Sequence, residues 1–230
     1  MTLSRGVAAA AAMLLALTLP ASAANASQPG AGRDWTHTYS VSADGGFVMG
    51  NPKAKVAIVE YGSLTCPHCR HFAAAAMKPL AGYVRSGKAS YEYRSLTLNQ
   101  IDVAATLIAR CDGPRRFFPI AEELYATQPT WIAKITEADT DKLNALPADE
   151  MMLGVAKVAG LLSLAASHGI PQEKAEACLK DQSAADQLSQ MVQAAEARGV
   201  QGTPTFFVNG KQVPAYDWET LEPFLKEAGS

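Results

Sequence analysis

KVAIVEYGSLTCPHC, from Lys55 to Cys69, decides how this chain is read. Val56 to Tyr61 is apolar on both alternating faces except at Glu60, which predicts a central strand covered on both sides. Cys66 then opens a helical pattern, with Cys69 three positions on. That spacing puts both sulfurs at one end of the same helix, close enough to cross-link. Pro67 suits the first helical position, where no backbone donor is needed. A helix N-terminus carries partial positive charge and unpaired N–H groups, and both stabilise a thiolate. Strand, short turn and CxxC at a helix start is therefore a redox context. Cys66 is the expected attacking sulfur and Cys69, one turn inside, the resolving one. His68 lies between them and can favour the Cys66 thiolate by charge or hydrogen bond. The alternatives are a static disulfide and a structural zinc site. Zinc sites usually show two such pairs or added histidines at set spacing, and His71 is the only extra ligand candidate nearby.

Glu60 carries two readings. An ionised carboxylate is costly to bury, so a buried Glu60 has a raised pKa and can relay protons for the thiols. Otherwise it sits at the exposed end of its strand.

Beyond this stretch, Ser90 to Leu96 alternates and is rich in aromatics, which reads as a second strand. A helix is expected from Pro67 to Arg85, broken near Pro79. Upstream, His37–Val41 and Phe47–Met49 suggest a short hairpin around Asp44-Gly45-Gly46. From Ile101 to about Arg198 the chain is rich in Ala, Leu, Glu, Lys and Gln at helical spacing. Pro114, Pro119, Pro129, Pro147 and Pro171 divide it into several helices. A long helix starting near Asp181 ends at Gly199, a suitable cap residue. Strand character returns at Thr205–Val208, followed by Asn209-Gly210, a strong hairpin signal, and Lys211–Val213. A last helix starts with Thr220 as N-cap and has Pro223 in its first turn. Each β-containing piece is too small to close a core alone. They combine into one sheet, with the helical block inserted between them.

The first residues bring Arg5, an apolar run from Val7 to Leu19 and a small-residue end at Ala21–Ala23. This fits a cleaved secretory signal peptide over residues 1–23. The run is too short to span a bilayer comfortably. Removal takes Arg5 from the 20 basic residues and nothing from the 22 acidic ones, so the net charge of −2 becomes −3. No basic stripe remains to attract nucleic acid. Residues 24–34 are small and polar and read as a lead-in. Export makes disulfides permissible. With Cys66 and Cys69 as the close pair, Cys111 and Cys178 remain. A disulfide between them is favoured over two buried free thiols. Thr203-Pro204 precedes a strand whose edge could accept an extended peptide. On base rates the bond is trans. His37, His71 and His168 read as surface or packing residues, and Trp35, Trp131 and Trp218 as core or groove.

Taken together, VEYGSLTCPHC with Cys66-Pro67-His68-Cys69, the helical insertion, and GVQGTPTFFVNG from Gly199 to Gly210 resemble the DsbA-like thiol:disulfide oxidoreductases of the bacterial cell envelope. The resemblance covers nearly all of the chain after residue 23. It implies an α/β thioredoxin fold, a central mixed sheet with flanking helices, carrying an inserted all-helical domain. The implied division is a lead-in over 24–46, a first thioredoxin part over 47–98, the helical insertion over 99–185, and a second thioredoxin part over 186–230. The resemblance makes Cys66 the nucleophile, Cys69 the resolving thiol and Glu60 the family's buried acid. Thr203 and Pro204 become a cis-proline loop beside the sulfurs that pairs with substrate backbone. It also implies periplasmic location, reduced or misoxidised envelope proteins as substrates, a DsbB-like quinone-linked membrane oxidase as reoxidant, and a monomer. No metal or organic cofactor is required. Thr203, where the simplest members carry Val, is similar to isomerase-type relatives. Three readings therefore stand: an oxidase, an isomerase or reductase, and a non-catalytic metal-binding or chaperone protein on the same scaffold.

Overall fold

The computed structural model describes residues 1–2, 33–138 and 140–229. The expected signal peptide lies outside the described residues but for its first two. From residue 33 onward the chain packs as one compact unit. After a 3-10 turn at Trp35–His37 come β1 (Tyr39–Val41), β2 (Phe47–Gly50) and β3 (Val56–Gly62). Helix α1 (Pro67–Arg85) and β4 (Ala89–Ser95) follow. Among the described residues, eight helices come next: α2 (Gln100–Arg110), α3 (Pro114–Ala126), α4 (Gln128–Thr136), α5 (Thr140–Asn144), α6 (Ala148–Ala159), α7 (Leu161–Ser167), α8 (Gln172–Leu179) and α9 (Gln182–Ala197). The chain closes with β5 (Thr205–Val208), β6 (Lys211–Val213) and α10 (Trp218–Glu227).

The strands form one sheet in the order β1-β2-β4-β3-β5-β6. β3 and β4 are parallel, with α1 as their crossover, and the other pairs are antiparallel. β3 sits between β4 and β5, so the strand leading to Cys66 is central and the segment after Pro204 runs beside it. Glu60 pairs with Tyr93 on one side and Phe206 on the other. The fold is the thioredoxin fold, a mixed sheet with helices, and it carries its helical block between β4 and β5.

Local chemistry accounts for the elements and for several departures from expectation. α1 is continuous through Pro79. A proline inside a helix costs about 3 kcal/mol, but Phe72, Ala76, Leu80 and Val84 form a fully buried stripe on both sides of it. That burial outweighs one lost hydrogen bond. Pro119 likewise sits inside α3, flanked by buried Phe117, Phe118, Ile120 and Ala121. The last helix begins earlier than expected. Asp217 is the N-cap and Thr220 is the third helical residue, in a reciprocal capping box. Pro223 is then past the first turn. The expected boundary at 185/186 falls inside α9, whose N-cap is Asp181. Late in the segment 24–46, β1 pairs with β2 as an edge strand, which is the short hairpin expected around Asp44-Gly45-Gly46. The Asn209-Gly210 turn reverses β5 into β6 with positive φ of 49° and 79°, as a two-residue hairpin of this kind requires.

Cys111, the C-cap of α2, and Cys178 in α8 form a disulfide with Cα atoms 5.6 Å apart and a sequence separation of 67. Asp112 adds ion pairs to Arg116 and Lys174 at the same junction. Closing a loop of this size stabilises by about 4 kcal/mol in the chain-entropy model. Replacing both cysteines with serine is expected to lower the unfolding free energy in urea by about that amount. An unchanged midpoint and slope would show that the cross-link adds nothing to stability.

Candidate active site

The site forms where three segments meet: the end of β3, the first turn of α1 and the loop before β5. Cys66 is the N-cap of α1 and Pro67 its first residue. Cys69 falls at the third helical position, one turn in. Cys66 is 5% exposed and Cys69 fully buried, so only the first can meet another molecule's sulfur. Both are free thiols, so the site is in its dithiol form.

The two thiols are driven apart in acidity. Cys66 is lowered from the ordinary thiol value to about 5. The largest cause is the hydrogen bond from Cys69; burial opposes it; the Thr203 side chain and the backbone N–H groups of Cys69 and His68 add to the lowering. Cys66 makes no full capping hydrogen bond to those N–H groups, so they act as nearby dipoles of the helix end. His68 thus contributes through its backbone N–H, the hydrogen-bond alternative of the two expected for it, while its imidazole is exposed. Cys69 is pushed well above the ordinary value by burial first, then by its bond to Cys66 and by the charge of Glu60.

Glu60 is 1% exposed, which removes the exposed-strand-end reading. Tyr91 Oη donates to its Oε2 at 2.5 Å, while Oε1 is buried without a partner. Burial lifts its pKa to about 8; the Tyr91 bond lowers it and the Cys66 charge raises it. At pH 7 the group is therefore mostly a neutral acid beside a thiol that holds its own proton tightly.

The Thr203–Pro204 peptide is cis. In the thiol form, Cys66 Sγ donates to the Thr203 carbonyl at 3.3 Å. The Thr203 hydroxyl is buried with no other partner, which leaves it as the loop's donor toward the thiolate. The structure thus brings together Cys66, Pro67, His68, Cys69, Glu60 and the Thr203–Pro204 loop. Cys111 and Cys178 lie outside this cluster, at the junction of α2 and α8.

Sequence reasoning missed the residues that hold the turn ahead of Cys66. Asp102 in α2 is fully buried. Its Oδ2 accepts from the Ser63 hydroxyl at 2.5 Å and the Leu98 N–H at 3.0 Å, and its Oδ1 from the Leu64 N–H at 3.0 Å. Tyr125 in α3 donates to the Ser63 carbonyl at 3.1 Å and meets the Tyr93 hydroxyl at 2.8 Å. Gln128, the first residue of α4, donates to the carbonyls of Leu64 at 2.9 Å and Cys66 at 3.0 Å. The available signal was a polar residue at a position where helical spacing calls for an apolar one.

This geometry can be set beside known proteins. The family model described as Thioredoxin matches residues 42–227. The chain belongs to the thioredoxin family. A Rickettsia prowazekii protein, named protein-disulfide oxidoreductase with the qualifier putative, is 30% identical over 188 residues, which cover 80% of this chain and 62% of that one. A Rickettsia conorii protein of the same description is 30% identical over 194 residues, covering 83% and 62%. The chain thus spans somewhat under two thirds of the length of these curated relatives. The crystal structure of a protein-disulfide isomerase from Novosphingobium aromaticivorans superposes with a TM-score of 0.73 at 28% identity, covering 80% of this chain and 97% of that one. Wolbachia pipientis alpha-DsbA1, at 19% identity and a TM-score of 0.66 over 82% of this chain and 92% of that one, shares the fold.

Proposed function

We propose that this protein is an exported thiol–disulfide oxidoreductase that donates the Cys66–Cys69 disulfide to folding proteins of the cell envelope. The observation that carries the reading is the placing of two cysteines one turn apart at the start of α1, with Cys69 fully buried and Cys66, 5% exposed, set against the Thr203–Pro204 loop. In the oxidised enzyme a substrate thiolate attacks Cys66 Sγ. The Cys66–Cys69 bond breaks, a mixed disulfide forms at Cys66, and Cys69 leaves as a thiolate. Because Cys69 is a strong base, it takes a proton, and neutral Glu60 supplies it. The substrate's second thiolate then attacks its own sulfur in the mixed disulfide and expels Cys66. A thiol of low pKa leaves readily. The substrate loses two electrons and the enzyme gains them. The Thr203–Pro204 loop pairs with the extended substrate backbone. A DsbB-like quinone-linked membrane oxidase restores the disulfide, and the enzyme works as a periplasmic monomer without metal or cofactor.

The second reading is an isomerase or reductase. Thr203 favours it, as does the isomerase name of the Novosphingobium aromaticivorans structure. The experiment that tests the function mixes the oxidised protein with a reduced, unfolded model protein containing several cysteines. Transfer of one disulfide per enzyme, with appearance of the enzyme dithiol, is the expected result. Stoichiometric metal retention with no transfer would replace the catalytic reading by the metal-binding one.

A further inference from the structure

Between Gly62, which ends β3, and Pro67, which starts α1, four residues carry the chain from sheet to helix. Part of their polar backbone is served locally: the Cys66 N–H reaches the Ser63 carbonyl at 3.2 Å, and the Thr65 N–H the Ser63 hydroxyl. Side chains of the helical block serve further groups of the turn. Leu64 has both its backbone groups held this way, its N–H by Asp102 and its carbonyl by Gln128. The Cys66 carbonyl accepts from Arg70 N–H within α1 and from Gln128 across the interface. Gln128 is 3% exposed, so bulk water does not stand in for its amide.

We propose that Gln128 is a positioning residue for the redox turn: by donating one amide hydrogen to the carbonyl of Leu64 and the other to that of Cys66, it fixes where the Cys66 sulfur sits against the helix end and Thr203. The proposal rests on the redox reading of Cys66 and Cys69. The groups that favour the Cys66 thiolate are short-range: one thiol, two N–H dipoles and one hydroxyl. A small displacement of the turn weakens all of them at once. A site 1 Å out of place loses up to about a hundredfold in rate. Asp102 holds the other side of the same turn, so Gln128 fixes a segment already anchored at Leu64 N–H. On this account the helical block serves as a jig for the nucleophile.

Two variants of the full chain test this. Gln128→Leu keeps the bulk and removes both donors. It is expected to raise the pH midpoint of Cys66 alkylation by iodoacetamide by about one unit. It should also lower kcat for disulfide transfer by about tenfold with KM unchanged. A folded Gln128→Leu protein with wild-type midpoint and kcat overturns the proposal. Should that variant fail to fold, Gln128→Glu decides. Its protonated form keeps one donor and its ionised form none. Its kcat relative to wild type should therefore rise as the pH is lowered, and a flat ratio overturns the proposal. The alkylation midpoint is read without any protein substrate. Loss of the disulfide-transfer reading, which would show as an inactive wild type, is thus distinguishable from loss of this one.

Discussion

Glu60→Gln is expected to stabilise the oxidised protein at alkaline pH by up to about 5 kcal/mol. With both thiols free, the folded state lifts the Glu60 pKa from 4.5 to about 8, chiefly by burial, a difference of about 3.5 units at about 1.4 kcal/mol each. The disulfide form keeps the burial but lacks the Cys66 charge, so this figure is its upper bound. A raised acid pKa favours folding fully below the unfolded value. That contribution is lost as the pH climbs from 4.5 through 8, where the unfolded chain releases the proton first. The unfolding free energy of the oxidised wild type should therefore fall by about 1.4 kcal/mol per pH unit across this window. Gln at position 60 does not titrate, still accepts from Tyr91, and should flatten the profile. In the reduced protein the depressed Cys66 acts with the opposite sign. Its contribution is present at high pH and lost as the pH falls toward 5. The two slopes oppose each other in the dithiol, so the oxidised form is the one to measure, by urea unfolding at pH 5, 6.5 and 8. A flat wild-type profile would mean that Glu60 is not held neutral. On the proposed mechanism the same substitution removes the proton given to Cys69 as it leaves, so the stabilised variant should transfer disulfides more slowly.

Cys66→Ser is expected to reduce disulfide transfer to the uncatalysed background, a fall of at least about a thousandfold. A serine hydroxyl forms no disulfide, and the buried Cys69 cannot reach a substrate sulfur. In the wild type, alkylation of Cys66 should rise with pH through a midpoint near 5, set by the thiolate population. At neutral pH, two units above that midpoint, only about one molecule in a hundred keeps the proton. Retained transfer in Cys66→Ser would move the nucleophile elsewhere. A midpoint near 9 would remove the physical basis for an oxidising site.

How much of this was legible in the sequence follows from how local each signal is. The β3–Cys66–α1 unit was plain, because strand alternation, a proline at the first helical position and the three-residue cysteine spacing are all short-range. The Asn209-Gly210 turn was equally direct, since positive φ selects those residues. Pro79 and Pro119 misled because a local helix-breaking rule was set against burial that only the packed structure reveals. Thr220 looked like a cap, yet Asp217 has the side chain that reaches the Thr220 N–H at 2.9 Å. Asp102 and Gln128 were not visible as site residues. Each is a polar residue in a helical region, and nothing in the local pattern says what it serves until the fold sets it against the turn before Cys66. His68 was legible by position, and of the two roles left open for it, charge or hydrogen bond, its backbone N–H supplies the second. Family resemblance brought in the cis form of Thr203–Pro204, which residue physics alone set at long odds.

The central claim is that the protein stabilises its reduced form through the Cys66 thiolate and is therefore an oxidant. Its reduction potential at pH 7, measured by equilibration with glutathione, tests this most directly. Thioredoxin, a reductant, lies at about −270 mV, and strong envelope oxidants near about −120 mV. The account predicts a value well above thioredoxin's, toward the oxidising end of that range. A value at or below about −270 mV would contradict it.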